Sequence, residues 1–350
     1  MERYPLKRRV FTAALVVLSL GLSLGLTEVL LRARERAQIR RISDAKEAAN
    51  VMPSDIPGLN YTLRPNHRHG DTQFNSHGFN MAERPVDKPP GLFRLFFVGD
   101  SVTQGVGTQA TGEAFPNLVD AVLRAWSPPG RVEAWNAGTG GYNADQVFLM
   151  VQHVLPAFDP DAVIYVFNFN DYWEPNQYFH GQPAIPPGQS VEPGASGPLD
   201  RLKQFRTVLF ARDIVNKAIT RVRGYPPVYV DRKIGYPSWQ HMKDVIVEMH
   251  RHCQSHDIPF AVVLHPNLQF LHRRIEGNHA HRDLAQHLAA HGIPKLELVE
   301  ALRPHRGEPL YLPDGNHLKP AGHQLLAEEI LRWLAGPARP FTLPAVPVAP

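Results

Sequence analysis

From Arg94 to Val299 short apolar runs alternate with amphipathic stretches, and this alternation constrains the fold more than any other feature of the chain. LFFV at 95–98 is followed by the helical register Phe115, Leu118, Val119, Val122 and Leu123. VEAWN at 132–136, a helix near 144–155 and AVIYVFN at 162–168 repeat the pattern. A helix around 240–255, FAVVLH at 260–265, a helix near 282–291 and LELV at 296–299 complete it. Apolar runs without polar alternation suit strands buried on both faces. Strands separated by helix-length segments imply a parallel sheet covered by helices, so an α/β fold is expected.

The alternation stops between Tyr172 and Tyr236, where GQPAIPPGQSVEPGASGP is too rich in Pro and Gly for regular structure. The stretch from about 172 to 236 reads as an insertion. It follows the end of a central strand, where ligands bind in such sheets, so it fits a lid or a substrate wall; a spacer fits equally. The remaining divisions are a Pro, Asn and His-rich linker or N-terminal extension at 51–90 with a short strand, a domain at 91–336, and a Pro-rich extended tail at 337–350.

The N-terminal run from Val10 to Thr27 carries no charge and is long enough to span a bilayer. Arg8, Arg9 and Arg32 bracket it, and no small-residue cleavage pattern follows, which favours an uncleaved anchor over a signal peptide. Residues 1–50 thus read as a cytoplasmic tail, a transmembrane helix and a polar, helical juxtamembrane stalk. Arg3, Lys7, Arg8 and Arg9 on one side face Arg32, Arg34, Arg36, Arg40 and Arg41 on the other, so charge does not orient the segment. The net charge of +4 owes much to those last five arginines. Their place beside an apolar run suits anionic lipid headgroups better than a nucleic-acid groove, and nucleic acid is not an expected partner. The single cysteine, Cys253, excludes an intrachain disulfide and a thiolate metal cluster. It falls in register with Met242, Val245, Ile246 and Met249, as a buried helix residue does.

A serine becomes a nucleophile only with a base in reach, an acid to orient that base, and donors aimed at the developing oxyanion. VGDSVTQG sets Ser101 just past LFFV, at the C-terminal end of a strand, with Gly99 and Gly105 permitting a turn toward a helix. Alone this motif also fits an ordinary loop. YLPDGNHLKPAGH places Asp314 and His317 three residues apart before an amphipathic terminal helix starting near Ala321. Alone that pair also fits an exposed turn. Zinc would require a third ligand, and no HExxH or cysteine set is present, so no metal or other cofactor is expected.

Taken together, GDS at 99–101, NAGTGGYN at 136–143, NFND at 168–171 and DGNH at 314–317 resemble, in order, the blocks of the SGNH (GDSL-like lipase/esterase) hydrolases over roughly residues 91–335. The resemblance implies a three-layer α/β/α, flavodoxin-like fold with a central parallel sheet. It implies Ser101 as nucleophile, His317 as general base and Asp314 as its orienting acid. The oxyanion donors it implies are the Ser101 N–H, the Gly141 N–H and the Asn170 side chain. Gly138 competes with Gly141, although aligning Asn136 with the family's asparagine favours the latter. The third block usually reads GxND, and Asn168 replaces its glycine; Asn tolerates a left-handed backbone better than most residues, so the turn can survive the change. The chain lacks the GxSxG elbow of α/β-hydrolases.

The function implied is a membrane-anchored serine esterase with its catalytic domain outside the cytoplasm, removing O-acetyl or other short acyl groups from a cell-envelope polysaccharide. An acyltransferase using the same acyl-enzyme and a non-catalytic glycan-binding envelope protein are the competing readings. His265 is left outside the site, and the histidines at 272, 279, 281, 287 and 291 read as solvated.

Overall fold

A computed structural model describes residues 4–48, 50–126, 131–172, 205–223, 234, 237–272 and 278–344. They fall into two compact units, one drawn from Met1–Ala45 and Pro193–Gly224, the other from Lys46–Glu192 and Tyr225–Pro350.

In the first unit, helix α1 (Tyr4–Ala48) runs without a break from the apolar segment into the arginine-rich stretch. Its Arg8–Arg34 portion is long and apolar enough to cross a membrane, and its apolar side chains are exposed. The same unit holds a second helix at Arg206–Arg223, inside the stretch read as an insertion. The Pro/Gly-rich run at 181–198 lies outside the described residues.

The second unit is built on five strands: β5 (Phe93–Gly99), β6 (Val132–Gly138), β7 (Ala162–Phe167), β8 (Phe260–Leu264) and β9 (Lys295–Glu297). They form one parallel sheet in the order β6-β5-β7-β8-β9. Every residue of β7 and β8 is buried, as the unbroken apolar runs require. Strand residues alternate between two cores. Phe96, Val98, Tyr165 and Val262 face one, under helices α4 (Ala144–His153), α6 (Pro237–Ser255) and α8 (His279–Ala290). Leu95, Phe97, Ile164 and Val263 face the other, under α3 (Phe115–Trp126) and α10 (Pro320–Ala335). Three layers result. Cys253 is buried in α6, where burial pushes its thiol pKa up to about 12.

Residues 51–90 depart from the linker expected for them. Two antiparallel pairs, β1 (Val51–Pro53) with β2 (Tyr61–Leu63) and β3 (Arg68–His69) with β4 (Thr72–Gln73), are joined by loops whose Leu59, Phe74, Phe79 and Met81 enter the first core. Phe79 meets Phe96 edge-on at 6.3 Å and Trp135 at 6.1 Å. The described part of the tail also packs, with Phe341 stacked on Phe93 at 6.1 Å and Leu343 buried.

Candidate active site

Strand β5 delivers Gly99, Asp100 and Ser101 to the C-terminal edge of the sheet. Gly99 is required by crowding: a Cβ there would lie 2.3 Å from Thr103 Oγ1 and 2.8 Å from the Val166 carbonyl. Asp100 then caps the short helix α2 (Ser101–Gln104), its Oδ1 accepting the Val102 N–H at 2.9 Å. Gly105, with φ 98°, ends α2 in a left-handed conformation that most side chains would strain. Ser101 is therefore held on one turn of helix and is only 9% exposed.

The structure brings Asp314 and His317 to this serine. His317 Nδ1 lies 2.6 Å from Asp314 Oδ2, and a carboxylate can only accept, so the proton sits on Nδ1. Nε2 of the neutral ring then accepts from Ser101 Oγ at 2.9 Å. Asp314 Oδ1 takes the N–H groups of Asn316 at 2.8 Å and His317 at 3.0 Å, which closes the DGNH turn on its own carboxylate. Burial pulls the His317 pKa down, but the Asp314 hydrogen bond and the charges of Asp314 and Asp100 outweigh it and hold the ring above the ordinary histidine value. Burial would likewise raise Asp314, yet its bonds to His317 and the two backbone N–H groups bring it below the usual carboxylate range.

His265, at the end of β8, supports this turn from behind. Its Nε2–H donates to the Asn316 carbonyl at 3.1 Å, and burial drives its pKa down to about 4, so the ring stays neutral. His281, expected to be solvated, is buried instead beside Phe169 and Phe270, its pKa also lowered by burial to about 4.

The second motif forms the loop after β6. Thr139 N–H donates to the Gly99 carbonyl at 2.9 Å, Gly140 N–H to Gln104 Oε1 at 2.6 Å, and Tyr61 O–H to the Gly140 carbonyl at 2.6 Å. A Cβ on Gly140 would stand 3.7 Å from Ser101 Cβ, so this loop runs beside the serine. Gly141 follows with φ 83°. The Gly138 N–H is committed to Asn136 Oδ1 at 3.1 Å.

The third motif forms the turn after β7. Its Asp171 carbonyl accepts the Ala144 N–H at 3.0 Å, which links this turn to the loop after β6. Asn170 lies in the turn, its amide oxygen buried and without a hydrogen-bond partner among the described residues. Asn168 does not adopt a left-handed backbone. Its side chain works instead: Oδ1 accepts the Phe169 N–H at 2.9 Å and Nδ2 donates to Asp100 Oδ2 at 2.8 Å. Tyr61, Gln104 and Asn168 are thus supporting residues absent from the sequence-based site. Gln104 and Asn168 stand inside the first and third motifs, whereas Tyr61 left no local signal. No group of three His, Cys, Asp or Glu suited to a metal ion occurs among the described residues.

Comparison with solved structures finds folds similar to this one at low identity. An alpha/beta hydrolase, LAE5, from the metagenome of Lake Arreo, Spain, is 16% identical, with 68% of this chain and 93% of that one covered at a TM-score of 0.43. A two-domain esterase (CEX) active on acetylated mannans is 16% identical over 74% of this chain and 52% of that one, TM-score 0.44. A catalytic mutant of Axe2, an acetylxylan esterase from Geobacillus stearothermophilus, is 15% identical over 70% of this chain and 95% of that one, TM-score 0.44. No curated protein sequence matches. The sequence model of the GDSL-like Lipase/Acylhydrolase family matches residues 97–325, from the last three residues of β5 into the terminal helix and across all four motifs. The chain therefore belongs to the GDSL-like lipase/acylhydrolase family and is a hydrolase acting on ester bonds.

Proposed function

We propose that Ser101, His317 and Asp314 act together as a nucleophilic triad. The observation that carries this reading is the unbroken relay from Asp314 Oδ2 through His317 to Ser101 Oγ, with separations of 2.6 and 2.9 Å. His317 Nε2 takes the hydroxyl proton as Oγ attacks the ester carbonyl, and Asp314 stabilises the imidazolium that forms. The protonated ring then gives that proton to the departing alkoxide, leaving an acyl-serine. Water, deprotonated by the same ring, attacks the acyl carbon and restores the serine. The Ser101 N–H, the Gly141 N–H and the Asn170 amide stabilise the oxyanion. Gly141 is preferred to Gly138 because it is the glycine that follows when Asn136 is aligned with the family's asparagine.

In this reading α1 is a single-pass anchor, residues 1–50 provide tail, anchor and stalk, and the domain at 91–336 works on the outer side of the membrane. The substrate is an O-acetyl or other short acyl ester on a cell-envelope polysaccharide, the class of polymer that an anchored, extracytoplasmic esterase meets.

The test uses the full-length protein in detergent and a fluorophosphonate probe, whose phosphorus forms a bond to Oγ as fluoride leaves. Wild type becomes labelled and Ser101→Ala does not. Equal labelling of both, or none of wild type, refutes the triad and favours a glycan-binding role. Acetate release from O-acetylated polysaccharide, measured with and without sugar acceptors, identifies a hydrolase. Acylated acceptor in place of free acetate would identify a transferase.

A further inference from the structure

Helix α5 (Arg206–Arg223) carries an apolar stripe that no described residue covers. Val208, Ala211, Ile214, Val215, Ala218 and Val222 recur at the three- and four-residue spacings that line one helical face. All are exposed, Ile214 by 53%, Val215 by 55% and Val222 by 87%. In helical register Arg212 and Arg223 border one edge of the stripe and Arg221 the other, all of them exposed. The segment carries five Lys or Arg against a single Asp. A protein face covering an apolar stripe has no need of cations along both of its edges. Phosphate headgroups above acyl chains complement that arrangement directly.

The start of α5 is tied to α1. Glu28 Oε2 accepts the Thr207 N–H at 2.9 Å and the Thr207 hydroxyl at 3.3 Å, while Oε1 accepts Arg32 Nε at 2.7 Å. A carboxylate on a first-turn N–H also suits the positive end of the helix. Glu28 is the first charge after the uncharged run Val10–Thr27, and Arg32 and Arg34 follow it. It marks the level at which that run gives way to headgroups in a bilayer that α1 crosses.

We propose that α5 lies in the surface of an anionic bilayer, with its Val208–Val222 stripe at the boundary of acyl chains and headgroups and Arg212, Arg221 and Arg223 on lipid phosphates. This rests on the reading of α1 as an anchor, and the experiment separates the two. Full-length protein carrying Val215→Cys, Val222→Cys or Leu20→Cys, each labelled with an environment-sensitive fluorophore, is reconstituted in vesicles of phosphatidylcholine with or without phosphatidylglycerol. Lipids bearing nitroxides near the headgroup or deep in the acyl chain act as quenchers. Cys253 is buried and stays unlabelled.

Labels at 215 and 222 should be quenched by the shallow nitroxide at least about twofold more than by the deep one, and more strongly with phosphatidylglycerol present. The label at 20 should prefer the deep quencher. Arg212→Gln, Arg221→Gln and Arg223→Gln combined should abolish the dependence on phosphatidylglycerol. Unquenched labels at 215 and 222 with deep quenching at 20 overturn the proposal and leave the anchor standing. Blue-shifted but unquenched emission at 215 and 222 also overturns it, in favour of cover by protein such as a second copy. A label at 20 that no nitroxide reaches refutes the anchor itself.

Discussion

Asn168 Nδ2 donates to Asp100 Oδ2 across 2.8 Å, joining the turn after β7 to the residue that caps the helix begun by Ser101. The same Oδ2 stands 3.3 Å from Ser101 Oγ, where it competes with His317 for the hydroxyl proton. The amide occupies that oxygen and favours donation of the hydroxyl to His317. Asn168→Ala should lower kcat/KM by about tenfold, roughly 1.4 kcal/mol of barrier, mainly through kcat. Leaving a buried carboxylate oxygen without its donor should also cost about 1–3 kcal/mol of stability. Steady-state kinetics alongside denaturant unfolding measure both; unchanged turnover would assign the contact to folding alone.

The pH profile tests the relay itself. The base must be neutral to accept a proton, and the Asp314 bond together with the Asp314 and Asp100 charges outweighs burial to raise the His317 pKa. The acid limb of kcat/KM should therefore have its midpoint above 6.5, the ordinary histidine value. Asp314→Asn removes the carboxylate, so the limb should shift to lower pH while the plateau falls by about three to four orders of magnitude.

Asn170→Ala should reduce kcat roughly a hundredfold or more and leave KM nearly unchanged, as removal of a transition-state donor does. Single-turnover acylation by a chromogenic acetyl ester would report it. A rise in KM with kcat intact would assign Asn170 to substrate binding instead.

Tyr61 tests the segment expected to be a linker. Tyr61→Phe removes the hydroxyl that holds the Gly140 carbonyl at 2.6 Å and so loosens the loop beside Ser101. About 1 kcal/mol of stability should be lost, with a fall in kcat. A variant indistinguishable from wild type in both would mean that the Tyr61 hydroxyl does not support the loop beside Ser101.

Acid should unfold the domain before its carboxylates titrate. Burial depresses His265 and His281 to about 4 and His323 to about 3, against 6.5 for the free side chain. Below pH 6.5 the unfolded chain takes up three protons there that the folded chain refuses. Asp171, whose carboxyl is raised well above the usual range chiefly by burial, acts in the opposite sense. Stability present above pH 6.5 should thus fall toward pH 4, each proton refused by the folded chain costing roughly 1.4 kcal/mol per pH unit. Denaturant titrations across that interval measure the slope, and a flat profile would mean that the three rings are not buried neutral.

The sheet was legible because β5, β7 and β8 are apolar on both faces, a pattern that needs no long-range information. Residues 51–90 were not, since the alternation of buried Leu59, Tyr61 and Leu63 is too short to stand out and Phe74, Phe79 and Met81 enter the core from loops. Ser101, Asp314 and His317 could be named because four short motifs resemble, in order, the blocks of one family, although each motif alone also fits an ordinary turn. The work of Asn168 was hidden because its partner lies 68 residues away. Judged against the glycine usual at that place, it suggested a backbone question, whereas its contribution is made by the amide. His281 was misjudged for its polarity, although it stands one turn from Leu284 and two from Leu288 on the buried face of α8.

Strand β5 has β6 on one side and β7 on the other, so the winding of the sheet reverses where Ser101 emerges. A crevice forms at such a reversal without any residue being dedicated to making it. Its floor belongs to the strands, while its rim belongs to loops that mutation and insertion can remodel cheaply. Bond breaking and substrate choice are thereby evolvable apart: a descendant of this chain could exchange one acyl carrier for another while Ser101 and His317 keep their separation.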